Sequence, residues 1–246
     1  MIKVFIAGGL VAIAIILAFI QKIGIVKDLS FGAVRSFIQL IAVGYIIQFV
    51  FDLKGVLYQS LLLFIMVLIA SYTSRGRAKK SPHAFLLSLI SIFTGTFITL
   101  GVMLLMRIIT TEPKFLIPLG GMIIGNTMNA VSIFLERFYN EFKERKNLIE
   151  VFLSLGASPR EASKELVKKS VKTAMIPITN IMKIVGIIQL PGAMTGMILA
   201  GASPLEAAKI QIIVIYMLSA SVAIAISLLA LISYRFYFTP SAALRL

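Results

Sequence analysis

Cysteine is missing from this 246-residue sequence, and histidine occurs once, at His83. The first absence excludes disulfides, thiolate metal sites and cysteine nucleophiles together. The second excludes a multi-histidine metal cluster within one chain. Acidic residues are scarce: there are 10 Asp+Glu against 24 Lys+Arg, and charged residues of both signs make up 14% of the chain. A soluble domain carries about a quarter. No G-x-x-x-x-G-K-[ST] stretch occurs, so ATP, if it drives this protein, is bound by another subunit. What fills the chain instead is apolar: 59% of residues are hydrophobic and the mean hydropathy is +0.99. One core of this size cannot hide such a surplus. The composition argues against a soluble enzyme or a free nucleic-acid-binding protein. It indicates an all-α, polytopic membrane protein, whose net charge of +14 must be explained by where its basic residues lie.

A spanning helix needs about 20 mostly apolar residues. Seven segments meet or approach that length: Val4–Gln21, Phe31–Phe51, Gly55–Ser74, Pro82–Met106, Phe115–Leu135, Thr173–Leu190 and Ile210–Tyr234. The first exceeds a typical signal-peptide core and is followed by no small-x-small cleavage site, so it reads as a retained span. Basic residues are divided unevenly between the connections. Lys22, Lys27, Arg75, Arg77, Lys79, Lys80, Arg235 and Arg245 fall on one side, with nine more between Arg137 and Lys172. Lys3, Lys54, Arg107, Lys114 and Lys209 fall on the other, and Arg35 and Lys183 lie inside spans. Cytoplasmic loops carry the excess of Lys and Arg. The pattern predicts about seven spans in one transmembrane domain over 1–246, with the N-terminus outside and the C-terminus in the cytoplasm. A multi-pass protein of the cell membrane (plasma or inner) is expected. The Gly/Pro-rich stretch Pro191–Lys209 is expected to be a re-entrant or external loop.

The connection 136–172 is the largest polar feature. Phe138, Phe142, Ile149 and Phe152 recur in it at roughly helical spacing. Gly156 suits the end of one helix and Ser158 the cap of the next. Pro159 suits the first helical position, and Glu161 completes a Ser-x-x-Glu capping box. Lys164, Lys168 and Lys172 follow at i, i+4, i+8. The result is a cytoplasmic helix–Gly–helix elbow. The phrase returns: Gly156-Ala-Ser-Pro-Arg-Glu-Ala-Ser-Lys164 matches Gly201-Ala-Ser-Pro-Leu-Glu-Ala-Ala-Lys209, with Ser203 and Glu206 forming a second capping box. Either helix-start chemistry has been reached twice or the chain carries an internal repeat.

All ten acidic residues lie at predicted helix ends or in connections. None stands near a bilayer midplane, where proton- or sodium-coupled carriers commonly place a carboxylate. Arg35 and Gln39 share a helix face; Arg35 either snorkels to the interface or contacts an anionic ligand in a vestibule. Lys183, deep in the sixth span, snorkels, pairs with a carbonyl or lines a polar cavity. Gly121 and Gly125 form a small-xxx-small contact beside Asn126 and Asn129, which fits helix packing with amide glue and also fits a translocation path. Gly192, Gly196 and Ala200 would pack a helical turn closely, and Pro191 with its glycines suits a hinge or gate. Met194 and Met197 flank Thr195 and Gly196 and offer soft sulfurs suited to Cu(I); no residue is assigned to a metal.

Five phrases carry a resemblance: Arg35-x-x-x-Gln39-Leu40, Gly125-Asn-Thr-Met-Asn-Ala130, Glu150 through Leu155-Gly-Ala-Ser158, Leu190-Pro-Gly-x-Met-Thr-Gly196 and Ile210-Gln211. In combination the chain resembles, over nearly its whole length, the FetB-like iron-export permeases of ABC transporters, a family that includes plant aluminium-tolerance permeases. Ala193 and Met197 depart from the Met-Met-Thr-Gly-Gln usual after Pro-Gly. The coupling loop of wider ABC permeases, Glu-Ala-Ala-x-x-x-Gly, is similar to Glu150…Gly156, with Val151 and Phe152 in place of the alanines and the downstream Ile-x-Leu-Pro missing. The resemblance implies a transport subunit that is no enzyme, binds no cofactor and exports iron, another metal or a metal chelate. It also implies a separate ATP-binding subunit and two copies of each chain, held in the lipid bilayer and without nucleic acid.

On this reading Glu150, Gly156, Ala157, Ser158, Glu161, Lys164 and Lys168 couple to the ATPase. A path on the second, fifth and sixth spans would use Arg35, Gln39, Asn126, Asn129 and Lys183, with Met194 and Thr195 at its gate. Two other readings stand beside it: a gradient-driven carrier or channel working alone, and a membrane scaffold whose basic loop binds anionic lipid.

Overall fold

The computed structural model describes residues 2–52, 55–78, 81–239 and 243–244; Lys54, Lys79, Lys80 and Arg245 of the charge pattern lie outside them. The described residues form nine α-helices and a terminal 3-10 turn, with isolated β-bridges and no strand. The helices are α1 Ile2–Ile20, α2 Val26–Asp52, α3 Val56–Arg77, α4 Ala84–Leu105, α5 Pro113–Glu144, α6 Lys146–Ser154, α7 Pro159–Ile184, α8 Gly192–Leu199 and α9 Pro204–Ile232; the 3-10 turn is Ser233–Tyr237. They group into two compact units, Met1–Lys54 and Gly55–Leu246.

In the first unit α1 and α2 pack on each other through a turn that places Lys22 at φ 51 and Gly24 at φ 81. Ile23 N–H reaches back to Ala18 O at 3.2 Å, closing the end of α1. Ala18 is buried, whereas Leu10, Phe19, Phe31, Ile38 and Tyr45 are exposed. Helices this apolar all round are at home in lipid or against other membrane helices rather than in water.

The second unit has a packed core of α3, α4, α5 and α9, with α7 laid against α5 and α9. Helices in lipid gain little from hiding apolar surface, so close backbone approach and hydroxyl contacts hold them together. α4 carries Ser91, Gly95 and Thr99 four apart, and Gly95 faces Ser221 and Ala225 of α9. A Cβ on Gly95 would come within 2.7 Å of Ser221 O and 2.9 Å of the Ala225 Cβ, so only glycine permits this crossing. Ser74 Oγ of α3 lies 3.0 Å from Ser88 Oγ of α4 and 3.1 Å from Ser132 Oγ of α5, tying three helices at one buried point. On α5 the glycine that admits a neighbour is Gly120, against Leu63, and to a lesser degree Gly121, against Met66. Gly125 faces open space within the chain, so the expected Gly121–Gly125 pair is not a packing pair here.

The 3-10 turn returns to the bundle. Tyr237 stacks on Phe142 at 4.4 Å between centroids, meets Phe138 edge-on, and its hydroxyl lies 3.0 Å from Ser81 Oγ.

Five helical stretches are long and apolar enough to cross a membrane: Val26–Ile47, Val56–Arg77, Ala84–Leu105, Pro113–Glu144 and Pro204–Tyr237; Ile6–Ile20 is a shorter apolar helix. The sixth expected segment has other bounds. Its helix begins at Pro159 and ends at Ile184, where Val185–Gln189 folds into a tight turn with Gly186 N–H on Gln189 O at 2.9 Å. The expected loop 191–209 is likewise helical over most of its length, as α8 and the start of α9. Glycines 192 and 196 meet nothing within 4 Å, so the close packing expected of α8's small residues is not made inside the chain.

Candidate coupling surface and solute path

The elbow is built from the end of α5, all of α6 and the start of α7. α6 stops because Gly156 takes φ +88, the left-handed region that glycine enters without steric cost. Gly156 N–H then bonds Leu153 O and Ala157 N–H bonds Phe152 O, each at 3.0 Å. This reciprocal pair is a Schellman closure and satisfies carbonyls the helix leaves open. α7 starts at once. Ser158 Oγ accepts from Glu161 N–H at 3.3 Å, the Glu161 carboxylate accepts from Ser158 N–H at 2.9 Å, and Pro159 occupies the first turn, where no N–H is missed. The Glu161 carboxyl is held below its ordinary value first by the Ser158 hydroxyl, which also donates to it at 2.6 Å, and then by the Ser158 N–H. A negative carboxylate in the first turn also suits the positive end of the helix.

The surface of α6 is apolar on one side. Ile149 is buried beneath it, but Leu148, Val151, Phe152 and Leu155 are exposed, Leu155 at 78%. Their spacing of i, i+3, i+4, i+7 makes one apolar stripe. Around it stand Lys146 and Glu150, paired at 3.8 Å. Of the residues expected to couple, Glu150, Gly156, Ser158, Glu161, Lys164 and Lys168 are exposed and Ala157 is half-buried. Lys168 faces Glu165 at 3.8 Å. The stripe residues Leu148, Val151, Phe152 and Leu155 were not among them, although their helical spacing is present in the sequence.

Below the elbow lies Glu141, the anchor that sequence reading missed. It is 2% exposed, on the last turns of α5, and it gathers three cations. Arg137 bonds Oε1, Arg145 Nε lies 3.0 Å from Oε2 and Lys169 Nζ 3.9 Å from it. The Arg145 contact is off the hydrogen-bonding direction, so it is an ion pair rather than a hydrogen bond. Arg137 and Arg145 sit one turn either side of Glu141, while Lys169 comes from α7. This carboxylate therefore ties both helical arms of the elbow.

The second Gly-Ala-Ser-Pro phrase repeats the backbone. Gly201 takes φ +96, its N–H bonds Ile198 O, and Ala202 N–H bonds Met197 O, each at 3.0 Å. Ser203 Oγ accepts from Glu206 N–H at 3.3 Å. The return arm from Glu206 to Ser203 N–H is not among the described bonds, so the expected second capping box is half formed.

The expected path residues are dispersed. Arg35 and Gln39 lie one turn apart on α2 of the first unit, both exposed. In the second unit, Asn126 is half-buried and donates to Met122 O at 2.9 Å within its own helix, while Asn129 is exposed. Lys183 is exposed near the end of α7, and the Thr195 hydroxyl donates to Pro191 O at 3.2 Å. Met194 is half-buried and lines a cavity of about 540 Å³ with Met182, Gln211 and Tyr216. Gln211 is buried, and its Oε1 has no hydrogen-bond partner in the described structure. No group of three or more His, Cys, Asp or Glu side chains gathers among the described residues.

These features define the class: an all-α, multi-pass membrane protein whose fifth and seventh helices meet at a helix–Gly–helix elbow. The chain belongs to the UPF0014 family, an uncharacterised protein family whose model matches residues 1–238. It is 36% identical over 218 residues to Protein ALUMINUM SENSITIVE 3 of Arabidopsis thaliana, covering 89% of this chain and 80% of that one. It is 34% identical over 229 residues to the "Probable iron export permease protein FetB" of Escherichia coli (strain K12), covering 93% and 88%. It is also 34% identical over 239 residues to the UPF0014 membrane protein STAR2 of rice, Oryza sativa subsp. japonica, covering 97% and 84%. No solved structure matches the chain significantly.

Proposed function

We propose that the chain is the permease subunit of an ABC transporter, driven by a separate ATP-hydrolysing subunit docked on α6. The observation that carries this reading is the exposed stripe Leu148, Val151, Phe152 and Leu155 on a short helix that is clamped at both ends. An amphipathic helix laid in a hydrophobic groove is a recurrent docking mode. The clamps give the docked helix a mechanical role. α5 and α7 run from the elbow into the bundle as unbroken helices, and α7 is about 39 Å long at 1.5 Å per residue. A displacement of α6 on ATP binding passes through Glu141 and Gly156 into both. Pro177, inside α7, lacks the N–H that would bond Thr173 O, and it marks where that helix bends most easily.

In this account the spans number seven, with the N-terminus outside and the elbow in the cytoplasm. Two permease chains flank the path, and the uncovered glycines of α8 suit a second copy. Asn126, Asn129, Lys183 and the Met194–Gln211 cavity line the path. Export of iron or another metal is supported by the name of the Escherichia coli relative, and the basic lining favours an anionic chelate over a bare cation.

The test is co-purification with an ATPase subunit, followed by ATPase assays of the reconstituted pair across metals and chelates. Solute-stimulated hydrolysis that is lost on Phe152→Asp supports the reading. Transport by the permease alone, driven by a gradient without ATP, would replace it with a stand-alone carrier.

A further inference from the structure

A groove opens between the start of α7 and the end of α9, and its two ends differ in chemistry. It encloses about 650 Å³. Arg160, Lys164 and Arg235 line one end, and Val167, Val171 and Leu228 continue away from it. A second hollow of about 500 Å³ shares Arg160 and Arg235 and adds Ser158.

None of these three cations has an ion pair among the described residues. The carboxylate nearest in sequence, Glu161, is engaged by Ser158 through both its N–H and its hydroxyl. Three cations at one mouth, of which only Lys164 shares the field of Glu161, repel one another unless an anion joins them. The mouth sits where the long apolar stretch Pro204–Tyr237 ends, with Tyr234 beside it, an aromatic of the type enriched at membrane interfaces. From Lys164 to Val171 the wall runs two helical turns, about 10 Å. A free phosphate has no use for that wall, whereas an acyl chain covers it.

We infer that this groove binds one anionic phospholipid, with its phosphate between Arg160, Lys164 and Arg235 and an acyl chain along Val167, Val171 and Leu228. The site requires only that the chain is a membrane protein and is independent of the transport reading.

The experiment uses the full-length protein in detergent, titrated with phosphatidylglycerol or phosphatidylcholine and read by native mass spectrometry. Phosphatidylglycerol should bind in preference. A basic residue near an anionic surface is worth about fivefold in affinity, so R160Q/K164Q/R235Q together should weaken phosphatidylglycerol binding by about 100-fold and leave phosphatidylcholine unchanged. All three side chains are exposed, so their neutralisation removes no buried contact. A second variant, Ser227→Trp, fills the groove with the three cations in place and should also weaken phosphatidylglycerol binding.

Unchanged lipid preference in both variants overturns the inference. Displacement of the lipid by inorganic phosphate alone overturns it in favour of a phosphate site. Loss of lipid from the wild-type protein when an ATPase subunit binds, with loss of that subunit from the triple variant, assigns the face to protein instead.

Discussion

The phrase Gly-Ala-Ser-Pro builds one backbone twice, at 156–159 and at 201–204, and the surroundings of the two copies diverge. Both glycines take positive φ, both close the preceding helix with the same pair of backbone bonds, and both serines cap the next helix. The first copy follows a helix with an exposed apolar stripe and stands over Glu141 with its three cations. The second follows α8, whose glycines meet nothing nearby, and leads directly into the apolar α9. The backbone device is therefore generic. What separates the two elbows is the side-chain anchoring beneath the first, which the proposed coupling role requires and the second lacks.

The largest expected effect tests that anchor. Glu141→Ala should destabilise the second unit by about 3 kcal/mol, because it leaves Arg137, Arg145 and Lys169 without their shared partner. The figure sits at the low end for a broken buried pair, since all three cations are partly exposed and retain some hydration. Glu206→Ala at the other elbow removes only a first-turn charge and should cost about 0.5 kcal/mol. Unfolding in mixed micelles, compared between the two variants, measures the difference.

Next come the glycines. Gly156→Ala and Gly201→Ala should each cost about 1 kcal/mol, since each forces a side chain into left-handed backbone. Equal losses of stability with unequal losses of ATPase coupling, large for Gly156 and small for Gly201, would sharpen the comparison. Equal losses of both would break it.

The caps should differ less. Ser158→Ala removes both bonds of the hydroxyl, to Glu161 N–H and to the Glu161 carboxylate, while its backbone N–H arm stays, and should cost about 1 kcal/mol, whereas Ser203→Ala removes one bond and should cost about half of that. Differential unfolding of the two variants reads this out.

The smallest effect is pH-dependent and confined to the first elbow. Because the folded Glu161 carboxyl lies below its ordinary value, its contribution is full above that ordinary value, about 4.3, and is lost as pH falls through the folded value. Hydrogen exchange in the first turn of α7, corrected for intrinsic rates, should therefore accelerate at acid pH. Glu161→Gln should abolish this step.

The elements that proved legible in the sequence are those whose signals are local. Gly156, Ser158, Pro159 and Glu161 specify a stop and a start within six residues, and the backbone obeys them. The bounds of α7 were harder to read. Charge from Arg160 to Lys172 looks like a surface helix and the apolar run from Thr173 like a span, yet no breaker stands between them, so one helix forms. At α8 the opposite error arises: Gly192 and Gly196 read as breakers, but isolated glycines are tolerated in a helix. Glu141 was hidden for a different reason. Arg137 and Arg145 announce local pairs, but its burial depends on α5 meeting α7, and Lys169 arrives only through that contact. The close approach at Gly95 likewise depends on Ser221 and Ala225, on a distant helix.

On the proposed function the first elbow meets a cytoplasmic ATPase and the second does not. The chain has no cysteine, so one introduced thiol is unique. Val151→Cys and Leu205→Cys each place it on an exposed position beside one elbow. In the assembled transporter the account predicts a thiol cross-link from Val151→Cys to the ATPase subunit and none from Leu205→Cys, which a membrane-impermeant reagent should instead label from outside the cell. A cross-link from Leu205→Cys with none from Val151→Cys would contradict the account.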